Sequence, residues 1–336
     1  MSIAKLKLMV ESKKVELDVA DDRSDPNQTV AQVTRLADGG VVAIAGPAFP
    51  TAGLAIRTIV NQDRIPDVAL GAADQQVLPV TPYMWQTGPL SSQVATACLT
   101  FLKGQGMTRI ALLTDTRNAY AIAGRDATEQ RLAQYGVAVV ADETFEATQI
   151  DLGPQIAGIQ EARPDLLLVW ATGPPPAAIT RRWAAAGTGI PLMMTAAEAS
   201  PLYLQAAGPA AEGVYVEAAL GVVGRSVPAA NPYRRLIDGF ALPYQRASGA
   251  WPPQFAWDAM IAMSLLFDAV RRRGATREGV RAGLDGISLD TPQGHYAFTA
   301  QRHFGMPDSS SLMSRVTGGR FVPAGITRDE LAKAGR

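Results

Sequence analysis

The stretch that most constrains the fold is Val15 to Thr51, VELDVADDRSDPNQTVAQVTRLADGGVVAIAGPAFPT. Val15, Leu17 and Val19 alternate with Glu16 and Asp18, the two-residue period of a strand with one buried face. An acidic turn follows, and Asp25 is placed to cap a helix that opens on Pro26. On that helix Val30, Val33, Thr34 and Ala37 fall at i, i+3, i+4 and i+7, which predicts one buried face, and Gly39-Gly40 ends it before the apolar run Val41 to Ala45. The expected unit is strand-helix-strand. Its second strand runs into Gly46-Pro47 and then Pro50-Thr51 at the start of another helix. Backbone N–H groups then point into open space at the carboxyl end of a parallel sheet, where a small ligand would sit.

The rest of the chain extends this rhythm. A helix is predicted from Thr51 to about Gln62, a short strand near Val68, a loop over Gly71 to Gln76, and a strand at Tyr83 to Gln86 before Thr87-Gly88-Pro89 breaks the pattern. A second alternation follows. Val94, Cys98, Phe101 and Leu102 share a helix face, and strands at Ile110–Leu113, Val137–Val140, Leu166–Trp170, Leu192–Met194 and Val214–Val216 are separated by helices at 121–135, 150–162 and 177–186. Such alternation predicts two doubly wound α/β sheets. From Asn231 the pattern turns helical over 233–247, 255–272 and 276–284, then strand-like at 296–298 and 312–316; the polar stretch from Gly325 to Arg336 is expected to fray. Ahead of Val15, the segment Ile3 to Val10 reads either as an amphipathic helix tail or as a strand.

Composition narrows the function classes. A chain of 336 residues is long enough for two lobes with separate cores. Lys plus Arg equals Asp plus Glu at 31 each, so no global basic field exists to hold nucleic acid. The most apolar helical run, Phe255 to Val270, is shorter than the ~20 residues a membrane span needs and carries Asp258 and Asp268, so no direct membrane insertion is expected. Cys98 is the only cysteine, which excludes an internal disulfide and a cysteine zinc cluster and leaves helix packing as its role. No glycine-rich phosphate loop, nucleophile elbow or HExxH arrangement occurs, so no cofactor, metal or catalytic residue is assigned and an enzyme is not expected. Asp21, Asp22 and Asp25 read as turn and cap residues, His295 and His303 as structural, and Ser91 and Ser92 as helix caps.

Several segments together resemble the type I periplasmic solute-binding proteins of the branched-chain amino acid ABC transporter family, the leucine/isoleucine/valine-binding class. They are DDRSDP at 21–26, AIAGP at 43–47, TGPLSSQ at 87–93, DTRNAY at 115–120, PDLLLVWATGPP at 164–175 and GHYAFTAQRHFG at 294–305, spanning nearly the whole chain in the family's order. The resemblance implies two Rossmann-like lobes joined by three crossovers near 87–90, 217–221 and 297–303. Residues 1–89 and 221–297 would form the first lobe, and 90–218 and 303–336 the second. A small carboxylate-bearing solute would be bound between the closing lobes, and the partner would be the membrane permease of an ABC importer.

Carried over by position, the first-lobe contacts implied are Pro50, Thr51, Gly71, Ala72 and Ala73; those of the second lobe are Tyr120, Thr172, Ala196 and Glu198. Tyr120 reads equally as ligand contact or loop packing. Pro50 stands where amino-acid-binding members place a hydroxyl, Ala73 where threonine is common, and Ala196 near the acid that receives a ligand ammonium, with Glu198 two residues later. These departures turn the expectation from an α-amino acid toward an aromatic or other organic acid, for which Phe49, Tyr120 and Trp170 would supply ring surfaces.

Family members carry a signal peptide, a first central strand and a helix ahead of the strand that begins here at Val15. Only fourteen residues occupy that place, and leaving such a slot empty would strand interior backbone groups at ~1 to 3 kcal/mol each. The expectation is a misassigned or truncated start, or Ile3 to Val10 as a substitute strand. The family implies a periplasmic or extracytoplasmic location; a real start at Met1 would imply the cytoplasm, where the alternative role is a ligand-sensing regulator similar to amide sensors.

Overall fold

The computed structural model describes residues 6–10, 13–148 and 151–336, with side chains described from Val15 onward. The chain forms two compact units. Unit 1 comprises the described part of Met1–Gly88 with Asp258–Leu289 and Tyr296–Gly305; unit 2 comprises Pro89–Trp257, Asp290–His295 and Met306–Arg336. The segment 221–257, grouped with the first lobe from sequence, packs with unit 2.

Unit 1 begins with β1 (Leu6–Val10) and β2 (Lys13–Leu17), followed by α1 (Pro26–Asp38), β3 (Ile44–Ala45), α2 (Pro50–Gln62), β4 (Asp67–Ala69), α3 (Asp74–Val77) and β5 (Met84–Gln86). β3, β4 and β5 form a parallel sheet in that order. Asp25 caps α1 as its position predicts: Oδ1 accepts the backbone N–H of Asn27 at 2.7 Å and of Gln28 at 3.1 Å. The buried face of α1 is Thr29, Val33 and Leu36, whereas Thr34 is exposed and its hydroxyl turns back to the Val30 carbonyl at 2.9 Å. The face is therefore rotated from the predicted one, because Thr29 is held inward by a hydrogen bond from its hydroxyl to Asp22.

The predicted strand-helix-strand pairing also differs. β2 does not join the sheet of β3; it pairs antiparallel with β1, Leu8 opposite Val15. Nor does the segment ending at Val10 fill a slot beside β3. Neighbouring strands along the chain satisfy each other's backbone at the low closure cost of a short connection, which a crossover pairing does not match. β3 is shorter than the run Val41 to Ala45 because Val41 belongs to the end of α1: its N–H donates to the Leu36 carbonyl, and its own carbonyl accepts from Arg277 Nε at 2.9 Å.

Unit 2 contains α4 (Ser91–Gly104), β6 (Arg109–Asp115), α5 (Ala119–Glu129), α6 (Leu132–Tyr135), β7 (Ala138–Phe145), α7 (Gly153–Ala162), β8 (Leu166–Trp170), α8 (Pro175–Ala185), β9 (Leu192–Met194), α9 (Pro201–Ala207), β10 (Tyr215–Ala219) and α10 (Arg234–Ser248). The chain then runs through α11 (Gln254–Arg273) and α12 (Arg277–Leu284), and a two-stranded pair, β11 (Ser288–Thr291) and β12 (Gly294–Ala297). It returns with β13 (Ser311–Thr317), β14 (Arg320–Pro323) and α13 (Arg328–Leu331). The large sheet has the order β14-β13-β10-β9-β8-β6-β7. Its five strands from β10 to β7 are parallel, and β13 and β14 extend it antiparallel. β8 is buried along its whole length, as a parallel strand covered on both faces requires.

Two further expectations are corrected. Ser91 and Ser92 lie inside the first turn of α4 rather than capping it; the Leu90 N–H is taken by Gln93 Oε1 at 2.8 Å. The C-terminal segment is docked, since Asn231 Nδ2 donates to the carbonyls of Leu331 at 2.9 Å and Ala334 at 3.0 Å, and both residues are buried. Among the described residues no helix is long and apolar enough to cross a membrane.

Candidate functional site

Each unit gathers loops at the carboxyl ends of its parallel strands, and the candidate contacts divide between these two clusters. In unit 1, Gly46 ends β3 with φ +123°, a conformation that favours glycine, and turns the chain toward α2. Phe49 precedes α2 without capping it by a side chain, and Pro50 occupies the first helical position, so the first-turn N–H groups beginning at Thr51 have no intrahelical acceptor. Thr51 is exposed and Phe49 half-buried.

The loop after β4 lies against this helix start. A Cβ on Gly71 would stand 3.1 Å from Pro50 Cγ, and one on Gly88, after β5, would stand 2.7 Å from the Gly71 carbonyl oxygen. The structure thus brings Phe49, Pro50, Thr51, Gly71, Ala72 and Ala73 to one end of one sheet. It also adds Gln76, at the end of the loop predicted over Gly71 to Gln76. Gln76 is fully buried; its Oε1 accepts the Ala73 N–H at 3.3 Å, while Nε2 has no hydrogen-bond partner.

In unit 2 the loop after β6 is organised by Asn118. Its Oδ1 caps α5 by accepting the N–H of Tyr120 at 3.0 Å and of Ala121 at 3.2 Å, and its Nδ2 donates to the Thr172 hydroxyl after β8. One side chain therefore ties two of the predicted site segments together. The asparagine stood in the segment DTRNAY, where an Asn just ahead of a helix was the available signal.

Tyr120 is 1 % exposed and meets Trp170 edge to face, with ring centroids 5.3 Å apart. Trp170 is fully buried at the end of β8, and a Cβ on Gly124 of α5 would fall 2.1 Å from its ring. The indole thus packs against α5 and backs Tyr120. The Tyr120 hydroxyl lies beside Thr195, and neither it nor Trp170 Nε1 has a hydrogen-bond partner of good geometry.

After β9, Ala196 and Glu198 lie in a single helical turn and both are buried. Glu198 accepts from the Thr195 hydroxyl at 3.3 Å, and burial pushes its carboxyl well above the usual range. Behind Tyr120, on β10, Glu217 is fully buried. Ser311 Oγ donates to its Oε1 at 2.5 Å, Oε2 has no partner, and desolvation raises its pKa to about 7. Burial, with a smaller contribution from Glu217, pushes the Cys98 thiol of α4 well up, so that cysteine is a packed, un-ionised side chain. Glu217 carried no sequence signal beyond its place in the expected crossover.

The histidines hold structure. In unit 1 His303 is buried and stacked on Trp85 at 4.5 Å; its Nδ1–H donates to the Met84 carbonyl at 2.9 Å, and burial lowers its pKa so that the ring is neutral. His295 in unit 2 is 2.7 Å from Asp290.

Two α/β units, each with its loops gathered at strand carboxyl ends, are the architecture of a type I binding protein. Many solved structures share the fold. A protein of Rhodopseudomonas palustris CGA009 matches with TM-score 0.87 and 20% identity over 96% of this chain and 92% of its own. The leucine binding protein LivK of Thermotoga maritima MSB8 matches with TM-score 0.82 and 19% identity over 93% and 87%. An ABC transporter solute-binding protein of R. palustris, solved in complex with benzoate, matches with TM-score 0.76 and 20% identity over 91% and 83%. A comparison with curated proteins finds no match. The chain belongs to the periplasmic binding protein family, whose model matches residues 6–320.

Proposed function

We propose that this chain is the solute-binding component of an ABC importer and that its solute is a small carboxylate-bearing molecule, an aromatic or other organic acid in preference to an α-amino acid. The observation that carries the reading is the sign of the polar groups. The unit 1 cluster offers first-turn N–H groups of α2 and the Thr51 hydroxyl; the unit 2 cluster offers the Tyr120 and Thr172 hydroxyls. Donors of this kind suit a carboxylate. The acids near them, Glu198 and Glu217, are fully buried with their carboxyls pushed up by desolvation, and Ala196 brings no charge, which disfavours the negative charge an ammonium group needs.

Membership of a family of binding proteins supports capture without chemistry, and the benzoate and leucine named for two structural neighbours bracket the solute class. The partner is the importer's membrane permease, and the protein works outside the cytoplasmic membrane. Micromolar affinity, about 8 kcal/mol, is the expected strength. Isothermal titration against leucine, benzoate and hydroxylated benzoates tests the proposal: saturable heat from the ring acids and none from leucine supports it, and binding of leucine alone overturns it.

A further inference from the structure

Unit 2 carries a cavity of about 240 Å³ that none of the candidate contacts lines. Its walls include the apolar side chains of Leu204 on α9, Val222, Trp251 and Phe321 on β14, and its only charged lining groups are two guanidiniums, Arg225 and Arg320. Arg225 lies over the Trp251 ring, 4.6 Å from its centroid, and the indole N–H donates to the Gly221 carbonyl at 3.0 Å, which fixes the ring at the cavity wall. Several arginines elsewhere find acceptors. Arg234 pairs with Asp238 at 2.9 Å, Arg272 with Asp268 at 2.7 Å, and Arg277 reaches three carbonyls. Among the described residues Arg225 and Arg320 have neither a carboxylate nor a hydrogen-bond acceptor.

Two unneutralised cations lining one concavity repel each other, and an anion seated between them removes that repulsion. The planar fork of a guanidinium matches a carboxylate, and the fixed indole with Phe321 offers ring surfaces beside it. The volume lies below the ~300–1,000 Å³ of pockets for larger organic ligands, which argues against a nucleotide or a peptide.

We propose that this cavity is a second ligand site, separate from the candidate contacts of Tyr120 and Thr172, that takes a single-ring aromatic carboxylate through Arg225 and Arg320. The inference stands on the cavity alone and does not require the importer reading. It is tested by following the indole N–H resonance of Trp251, assigned by its loss in Trp251→Phe, while the whole protein is titrated with benzoate and, separately, with inorganic sulfate. The expected result is a saturable benzoate-dependent shift that persists in Tyr120→Phe and weakens at least about tenfold in both Arg225→Gln and Arg320→Gln, as loss of a charge-assisted hydrogen bond requires. Both arginines are exposed, so the variants are expected to keep the wild-type circular dichroism. Absence of a shift in the wild type, equal shifts in wild type and both arginine variants, or sulfate binding as tight as benzoate would each overturn the assignment. Heat of solute binding that depends on Tyr120 but not on Arg225 reports the importer reading separately.

Discussion

Replacing Glu217 by glutamine tests the electrostatics of unit 2 most directly. The carboxyl is fully buried on β10, has one hydrogen bond from Ser311 and one oxygen without a partner, and its pKa is raised from 4.5 to about 7 by desolvation. A folded-state pKa above the unfolded value means that the folded state binds more protons between the two. The stability this group contributes is therefore fully present below about pH 4.5 and is lost as pH rises to about 7. Between about pH 5 and pH 8 the loss amounts to about 2 to 3 kcal/mol. Glutamine keeps the shape, accepts the same Ser311 hydrogen bond and does not ionise. Urea unfolding followed by tryptophan emission suits the test, because Trp170, Trp183, Trp251 and Trp257 all lie in unit 2. The expected outcome is a stability gap, Glu217→Gln minus wild type, that widens by that amount from pH 5 to pH 8. A gap that stays constant with pH would show that the carboxyl does not change charge in this range and would refute the reasoning. Ser311→Ala should move the wild-type transition to higher pH, since it removes the one bond that favours the charged form.

Other perturbations read the site more locally. Asn118→Ala removes the α5 cap and the bridge to Thr172, and should cost about 1 kcal/mol in denaturant unfolding while weakening solute binding in the same titration. Gly124→Ala drives a methyl into the Trp170 ring and should destabilise by about 1 to 3 kcal/mol, measured as a lowered midpoint, with the tryptophan emission altered in the folded state. Tyr120→Phe keeps the edge-to-face contact with Trp170 but loses the unpartnered hydroxyl; affinity should fall while the melting temperature holds, and unchanged affinity would remove Tyr120 from the site.

Local chemistry was legible in the sequence because it acts over a few residues. The Asp25 cap, Pro at the openings of α1 and α2, and the continuous apolar strands β8 and β9 follow from spacing and propensity, and the ordered segments from 21–26 to 294–305 pointed to the family that the match over residues 6–320 then showed. What sequence could not decide were partners chosen by distance in space. The antiparallel pairing of β1 with β2, the rotation of the α1 face by the Thr29 to Asp22 bond, and the grouping of 221–257 with unit 2 each depend on which surface a segment meets after the chain folds back. The candidate site divides the same way. Thr51, Tyr120 and Thr172 could be named from their segments, but the tie of Asn118 to Thr172, the burial that raises the Glu198 pKa, and the Glu217 carboxyl behind Tyr120 appear only once β6, β8, β9 and β10 stand side by side. The physical reason is that propensity and capping are set by neighbours along the chain, whereas desolvation and the satisfaction of polar groups are set by neighbours across it.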